Sequence, residues 1–425
     1  GNLAAIALAA LAVLLPATER VVTAVALVVF CLPLVATGPV LRVILGPGDG
    51  PQVVLAALAV YYTTMIPLLV GLRAAPATWF DLVRSYGRGA GAALVHVRAR
   101  ASLPYLIAGL QIAAPAAFLG AMVGEFTGAQ SGLGVLTIRA SRDLDIQLTW
   151  ALATVATVVS VVAYVVIGAI GRRFVTERPP LILAPVRPRL PRRERVRSAV
   201  VTTVAFLIRI FAGVDDGGEV RDILFAALGE TAVLAIAGYL AGLAVGAGGA
   251  IALTLAPRAA TVSMPIAIAL RAVPIVTTAP LVILLLGRGP VGAISLVALM
   301  VFFPTLIACL EGLRQAPGQA LDVLRSYGAP ARVQLVRVRI PAMLPAFFAA
   351  ARMSVPAAVL AVTVVEWLAI GTGVGAAMAL AASQSGYDLL AVAVVAVTAL
   401  SALGYALVGV IESPVLRVYA PEQQT

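Results

Sequence analysis

Four charged side chains lie inside long apolar runs of this 425-residue sequence, where a charge is most informative about chemistry. Glu125 and Glu366 stand at the ends of two apolar segments, each ahead of a glycine-rich loop. Arg352 lies within the segment that ends at Glu366, and Arg271 lies within another. Ionised groups in a membrane are costly and usually face a cavity or a partner. We therefore predict that these residues line or gate a path for an ion or a small solute.

Each of these residues also has a simpler interpretation. Glu125 and Glu366 act either as a gate or a contact with a protein that delivers the solute, or as hydrogen-bond acceptors for the loop that follows, and the last role is favoured. Arg271 and Arg352 either attract an anionic substrate such as a sulfonate or pair with Glu366, and pairing is favoured. Prolines that break helices free backbone groups, which is tolerated only beside protein or a cavity. Unless they merely kink helices for packing, four prolines also line the path: Pro33, Pro39, Pro274 and Pro280.

Patterns for catalysis and metal binding are missing from the sequence. All thirty basic residues are arginine, whereas a P-loop needs a lysine that reaches the phosphates of ATP. The single histidine, His96, excludes a multi-histidine metal site, and Cys31 and Cys309 lie in unrelated apolar stretches. We therefore predict a non-catalytic protein without a bound cofactor or metal, in which both thiols are buried.

One polar segment, DLVRSYG at Asp81–Gly87, recurs as DVLRSYG at Asp322–Gly328, 241 positions later. The same offset aligns many prolines and glycines, which predicts two copies of one structural unit. A proline before each segment and a glycine at its end predict a short helix. This helix either lies flat on its own bundle or offers a surface to two identical partners. Its candidate interaction residues are Asp81, Leu82, Arg84, Ser85, Tyr86 and Gly87, and in the second copy Asp322, Val323, Arg325, Ser326, Tyr327 and Gly328.

The rest of the sequence consists of apolar runs that are long enough to cross a bilayer. Hydrophobic residues make up 61% of the chain and charged residues 12%, and the mean hydropathy is +1.04. This composition is typical of a polytopic membrane protein, and we predict an all-α fold of two parallel helical bundles with about five or six transmembrane helices each. The expected divisions are a first unit at 1–170, which lacks N-terminal helices, a linker at 171–197, a second unit at 198–417 and a tail at 418–425.

The net charge of +11 raises the question of nucleic acid, but the arginines are concentrated in a few loops. The linker and the loops at 73–100 and 314–339 hold 19 of the 30 arginines. Positive charge marks the cytoplasmic loops of membrane proteins. We therefore predict that these three regions are cytoplasmic and that the chain contacts lipid and no nucleic acid.

The repeated segment and the residues after it resemble the EAA loop of binding-protein-dependent ABC importer permeases. In that family a short helix that ends in glycine is followed by a hydrophobic segment and Leu-Pro, present here at Leu103-Pro104 and Leu344-Pro345. The usual E-A-A opening is degraded to a nearby Asp81 or Asp322. The stretch GEFTGAQSGLG at 124–134 is similar to the nitrate, sulfonate and taurine branch of the family.

The resemblance implies a type I permease fold with two permease units fused in one chain of the bacterial cytoplasmic (inner) membrane. Each surface helix is then a coupling helix that docks on one of two ATPase subunits, which carry the ATP and Mg²⁺. An extracytoplasmic solute-binding protein delivers a small solute such as a sulfonate, taurine, nitrate or a pyrimidine-type precursor. A secondary transporter with internal repeats remains the alternative, although inverted repeats do not place both copies of the segment on one side.

Overall fold

A computed structural model describes residues 1–46, 48–126, 129–143, 145–174, 219–256 and 275–419. The secondary structure of these residues is helical. A helix satisfies its own backbone hydrogen bonds, which lipid cannot do, so apolar runs of this length fold as helices in a membrane. The predicted all-α fold is confirmed.

The described part of the first repeat contains nine α-helices, and a π-helical turn at Leu94–Arg98 joins the sixth helix to the seventh. In chain order they are α1 (Asn2–Leu14), α2 (Glu19–Cys31), α3 (Leu34–Leu45), α4 (Gly50–Gly71), α5 (Ala77–Ser85), α6 (Ala90–Ala93), α7 (Ala99–Phe126), α8 (Leu133–Arg142) and α9 (Ile146–Phe174).

The described part of the second repeat contains eight α-helices, with π-helical turns at Leu335–Arg339 and Glu366–Ile370. They are α10 (Glu219–Leu255), α11 (Ile275–Leu286), α12 (Pro290–Arg314), α13 (Gly318–Ser326), α14 (Ala331–Gln334), α15 (Ile340–Val365), α16 (Gly373–Ser383) and α17 (Tyr387–Tyr419).

The bounds of these elements repeat at the offset of 241 residues. Both ends of α3, α5 and α6 recur without a shift in α11, α13 and α14, and so do the two ends of the first π-helical turn. Helices α8 and α16, which the sequence pattern did not predict, also correspond to each other. The prediction of two copies of one unit is therefore confirmed at the level of individual elements.

Seven helical segments of the described residues are long and apolar enough to cross a membrane. They are Gly50–Gly71, Gly91–Phe126, Ile146–Phe174, Asp222–Leu255, Pro290–Arg314, Ala331–Leu368 and Tyr387–Tyr419. An eighth candidate is α2 with α3, which together pass the same test but are bent by 102°. The sequence also predicts helices at about 198–213 and 259–286; the first of these, and most of the second, lie outside the described residues.

By spatial contact, the described residues 1–174 and 275–281 form one compact unit, and 219–256 and 282–419 form another. In the first unit α4 packs so tightly on α7 that a Cβ added at Gly120 would lie 2.8 Å from the Leu55 carbonyl oxygen. In the second unit α10 packs on α12, and a Cβ added at Gly242 would lie 2.6 Å from the Ala298 carbonyl oxygen. Small residues allow such close approach of helix backbones in membranes.

Candidate functional site

The surface helices, α5 and α13, begin and end in the same way in both repeats. Pro76 and Pro317 occupy the N-cap positions with extended backbones. At the other end Gly87 and Gly328 have positive φ angles of 69° and 71°, which favour glycine because it has no Cβ. The sequence prediction of a short helix between proline and glycine is therefore confirmed.

Two backbone hydrogen bonds at each glycine form a Schellman motif. The Gly87 N–H donates to the Arg84 carbonyl (2.8 Å), and the Arg88 N–H donates to the Val83 carbonyl (3.2 Å). In the second repeat Gly328 and Ala329 make the equivalent bonds, both 2.9 Å long. This motif satisfies carbonyl groups that a helix otherwise leaves without partners. Each surface helix therefore has a fixed length of nine residues.

Each surface helix exposes apolar side chains that the described chain does not cover. Leu82 is 58% exposed and Tyr86 is 76% exposed, and at the equivalent positions Val323 is 56% and Tyr327 is 85% exposed. The opposite side of the helix faces the protein: Leu321 is buried. The exposed pair of apolar side chains, present in both repeats, argues against a helix that lies flat with this side on its own bundle.

The polar residues of the surface helices interact within the helix. Asp81 lies 3.9 Å from Arg84, and Asp322 lies 3.1 Å from Arg325, with all four side chains exposed. Exposed ion pairs of this kind contribute little to stability. The hydroxyl of Ser85 donates to the Leu82 carbonyl (2.7 Å), and that of Ser326 to the Val323 carbonyl (2.8 Å). The apolar side chains, rather than the charges, therefore distinguish this surface.

Glu125 and Glu366 both accept a hydrogen bond from the short helix that follows them. The Gly134 N–H donates to Glu125 Oε2 (2.6 Å), and the Gly375 N–H donates to Glu366 Oε2 (2.9 Å). The N-terminus of a helix carries unpaired N–H groups and attracts negative charge. Each carboxylate thus holds the start of α8 or α16, as the simpler interpretation of these residues expects.

The glutamate contacts leave no room for larger residues at the glycines. A Cβ at Gly132 would overlap the Glu125 carboxylate, and one at Gly373 would overlap the Glu366 carboxylate. Both glycines also have positive φ angles, 136° and 81°. We call each arrangement of a glutamate with the following G-x-G a carboxylate clamp: Glu125 with 132–134, and Glu366 with 373–375.

The clamp of the second repeat has an additional residue that the sequence did not indicate. The hydroxyl of Thr231 in α10 lies 2.8 Å and 2.9 Å from the two carboxylate oxygens of Glu366 and also accepts a hydrogen bond from the Val374 N–H (3.0 Å). Both Thr231 and Glu366 are buried. Thr231 stands 135 residues before Glu366, so no local spacing pattern connects the two.

The expected partner of Arg352 was wrong. Its Nη1 donates to Glu412 Oε2 (3.0 Å) and its Nη2 donates to the Tyr405 hydroxyl (2.9 Å), whereas Glu366 is held by Thr231 and Gly375. The Arg352 and Glu412 side chains are only 14% and 7% exposed. Arg352 and Glu366 lie fourteen positions apart on one long helical segment, about 21 Å at 1.5 Å per residue, which is too far for an ion pair.

Of the four predicted prolines, one lies at a helix bend and two lie inside helices. Pro33 caps α3 at the 102° bend between α2 and α3, and Pro39 lies inside α3. Pro280 is buried inside α11. Pro274 and Arg271 lie outside the described residues. The role of the prolines in lining a path stays a prediction.

Other kinds of site are not found in the described part of the chain. No group of three or more His, Cys, Asp or Glu side chains there is placed to hold a metal ion. Cys31 and Cys309 are free thiols, both buried, as expected.

The doubled surface helix, the helical spans and the clamps define a membrane permease built from two related units. The chain matches the family model of the binding-protein-dependent transport system inner membrane component at residues 1–176 and 238–417. It therefore belongs to that family and is a permease component of an ABC transport system for small solutes. Such components are not the catalytic subunits, and this protein spans the inner membrane several times.

Individual relatives point in the same direction. A probable ABC transporter permease protein of Haemophilus influenzae is 32% identical over 164 residues, which are 39% of this chain and 67% of that protein. The formylaminopyrimidine transport permease protein ThiX of Halalkalibacterium halodurans is 30% identical over 26% of this chain and 44% of ThiX. The putative aliphatic sulfonates transport permease protein SsuC of Bacillus subtilis is 35% identical over 25% of this chain and 38% of SsuC.

Proposed function

We propose that this single chain supplies both permease units of one importer and binds two identical ATPase subunits. The observation that carries the proposal is the doubled surface helix, with Leu82 and Tyr86 exposed in one copy and Val323 and Tyr327 in the other. Apolar side chains at equivalent exposed positions favour two equivalent partners, because burying them releases ordered water around each. The match of the family model to two segments also favours two units.

In the proposed mechanism the ATPase subunits close on ATP and Mg²⁺ and move both surface helices. The bundles then alternate between inward-facing and outward-facing arrangements by rigid-body motion. A solute-binding protein delivers the solute from outside, and the arginine-rich loops with the surface helices face the cytoplasm. The chain itself supplies no residue for ATP hydrolysis in this scheme.

The proposed solute is a small molecule of the sulfonate, taurine, nitrate or pyrimidine-precursor class. The names of similar permeases include a formylaminopyrimidine, riboflavin and aliphatic sulfonates. The charge of Arg352 is balanced by Glu412, so it gives no support to an anionic solute in particular. We infer that the solute-binding protein makes most of the choice among these classes.

Native mass spectrometry tests the stoichiometry. The chain is expressed with its neighbouring genes and purified in detergent without added solute. The proposal expects one copy of the chain with two copies of one nucleotide-binding protein, and a retained small molecule would identify the solute class. A chain that purifies alone, or as a homodimer without a nucleotide-binding partner, contradicts the proposal.

A further inference from the structure

We propose that Arg98 is a positioning residue that ties the first surface helix to the first transmembrane bundle, and that the second repeat lacks this tie. The inference rests on the proposed function, since it concerns how the movement of α5 reaches the membrane. It assigns unequal tasks to two surface helices that end in similar sequences, DLVRSYG and DVLRSYG.

Arg98 connects three elements of the first repeat. It is the last residue of the π-helical turn that leads into α7. Its Nη1 donates to the Leu72 carbonyl at the end of α4 (2.9 Å), and its guanidinium carbon lies 4.6 Å from the centre of the Phe80 ring in α5. The surface helix, the end of α4 and the start of α7 therefore meet at one cation.

The chemistry of these contacts suits a mechanical link. The last carbonyl groups of a helix lack partners within the helix and carry partial negative charge, which favours a cation. A cation over an aromatic face is attracted by the ring without a fixed hydrogen-bond angle. The hydrogen bond of Arg98 thus fixes the end of α4 at one atom. Its contact with the Phe80 ring is less directional and tolerates a small shift of α5 when a partner docks.

The end of α4 is also fastened on another side. Arg73, next to Leu72, forms an ion pair with Glu19 at the start of α2 (2.6 Å). The end of α4 is therefore held both by α2, through Arg73, and by Arg98, and in the proposal a displacement of α5 is passed through Arg98 to this point.

The second repeat has different contacts at the equivalent positions. Leu321 replaces Phe80, so no aromatic ring is offered, and Arg339 makes no hydrogen bond, ion pair or ring contact with any residue that the structure describes. Instead, Gln334 Nε2 donates to the Ala329 carbonyl (2.9 Å), a bond that Ala93 cannot make in the first repeat. This bond fastens the turn after α13 to α14 and makes no contact with α13 itself or with α12.

Hydrogen-exchange mass spectrometry of the whole complex with its ATPase subunits in nanodiscs tests the tie. Exchange is compared without nucleotide and after trapping with ATP and vanadate. In the wild type we expect the trapped state to slow exchange in 77–88 and in 72–76. With Arg98→Gln the change in 77–88 should remain, while the change in 72–76 should be lost. For contacts of this strength, the lost change corresponds to about a tenfold difference in exchange rate.

Matched variants separate positioning from simple stabilisation. Arg339→Gln, at the equivalent position, should leave the nucleotide response of both repeats as in the wild type. Arg98→Lys keeps a cation and should restore most of the response in 72–76. Phe80→Leu copies the second repeat and should reduce that response while the bond to Leu72 remains. A merely structural role does not predict rescue by lysine of a change that depends on nucleotide.

Each outcome has one meaning. If wild type and Arg98→Gln respond alike in 72–76, the tie is refuted and the proposed function stands. If Arg98→Gln does not assemble, Phe80→Leu decides, and an unchanged response in that variant refutes the tie. If the wild-type chain does not bind an ATPase subunit at all, the proposed function itself fails.

Discussion

The two repeats have closely similar helix bounds but bury polar groups in different ways. In the second repeat Arg352 forms a buried ion pair with Glu412, which joins α15 to α17. At the equivalent positions the first repeat has Gln111 and Gly171, and the Gln111 side chain lies against Gly168 of α9. The same architecture therefore accommodates a charged pair in one copy and a neutral amide in the other.

The two repeats also differ in the size of the residues where two of their long helices meet. The first repeat brings α4 and α7 together through Gly120 and Gly124, where the second repeat has Ala361 and Val365. At these two positions the first copy relies on backbone approach, whereas the second copy has larger side chains. The comparison indicates that the repeat preserves the path of the backbone, while the interactions between its helices have diverged.

The largest expected effect is the loss of the buried carboxylate in Glu412→Ala. Removing one partner of a buried ion pair leaves an uncompensated charge and costs about 3–5 kcal/mol. We expect a clear decrease in the melting temperature, measured in detergent by size-exclusion chromatography after heating. The double variant Arg352→Gln with Glu412→Ala imitates the neutral first repeat and should recover most of the loss. A double variant that is less stable than the single one contradicts this account.

The second prediction compares the carboxylate clamps. Glu366→Ala leaves the buried Gly375 N–H without an acceptor, at about 1–3 kcal/mol for an unsatisfied group. It also removes the contact with Thr231, whose hydroxyl keeps the Ala227 carbonyl as an acceptor (3.0 Å). Glu125 is half-buried and has one such hydrogen bond, so Glu125→Ala should cost about 1 kcal/mol. The same heating assay measures both. Equal losses would show that Thr231 adds nothing to the second clamp.

The third prediction concerns the glycine contact of the first repeat. Gly120→Ala introduces the residue of the second repeat at a point where its Cβ would lie 2.8 Å from the Leu55 carbonyl oxygen. Overpacking of this kind costs about 1–3 kcal/mol, since α4 and α7 must separate. Gly248→Ala is the control, because nothing lies within 4 Å of the added Cβ. A tolerated Gly120→Ala would show that the helices separate freely.

The smallest effect on stability is expected at the exposed tyrosines. Tyr86→Ala and Tyr327→Ala each remove a side chain that contacts little of its own chain. The free energy of unfolding should therefore change by less than about 0.5 kcal/mol, and the melting temperature should hardly move. Each variant should instead lose affinity for one ATPase subunit, visible as a species with one subunit in native mass spectra. Full retention of both subunits in the double variant would remove these tyrosines from the proposed interface.

Sequence reasoning succeeded where the determinant is local. The surface helices follow from a proline and a glycine eleven positions apart, and the hydrogen bond that Glu366 accepts from Gly375 follows from a separation of nine residues. It failed for Thr231 and for Glu412 as the partner of Arg352, because tertiary packing joins residues 135 and 60 positions apart. The helices α8 and α16 were missed because their glycine-rich starts are typical of loops.

The exposed apolar pairs of α5 and α13 have a consequence for the chain without its partners. A molecule with two equivalent adhesive patches is divalent. If an apolar patch of one copy binds a patch of another copy, each copy still has one unoccupied patch. Contacts of this kind that do not close into a ring lead to open-ended oligomers. Production of the chain without its proposed ATPase subunits is therefore expected to favour multimers of undefined length.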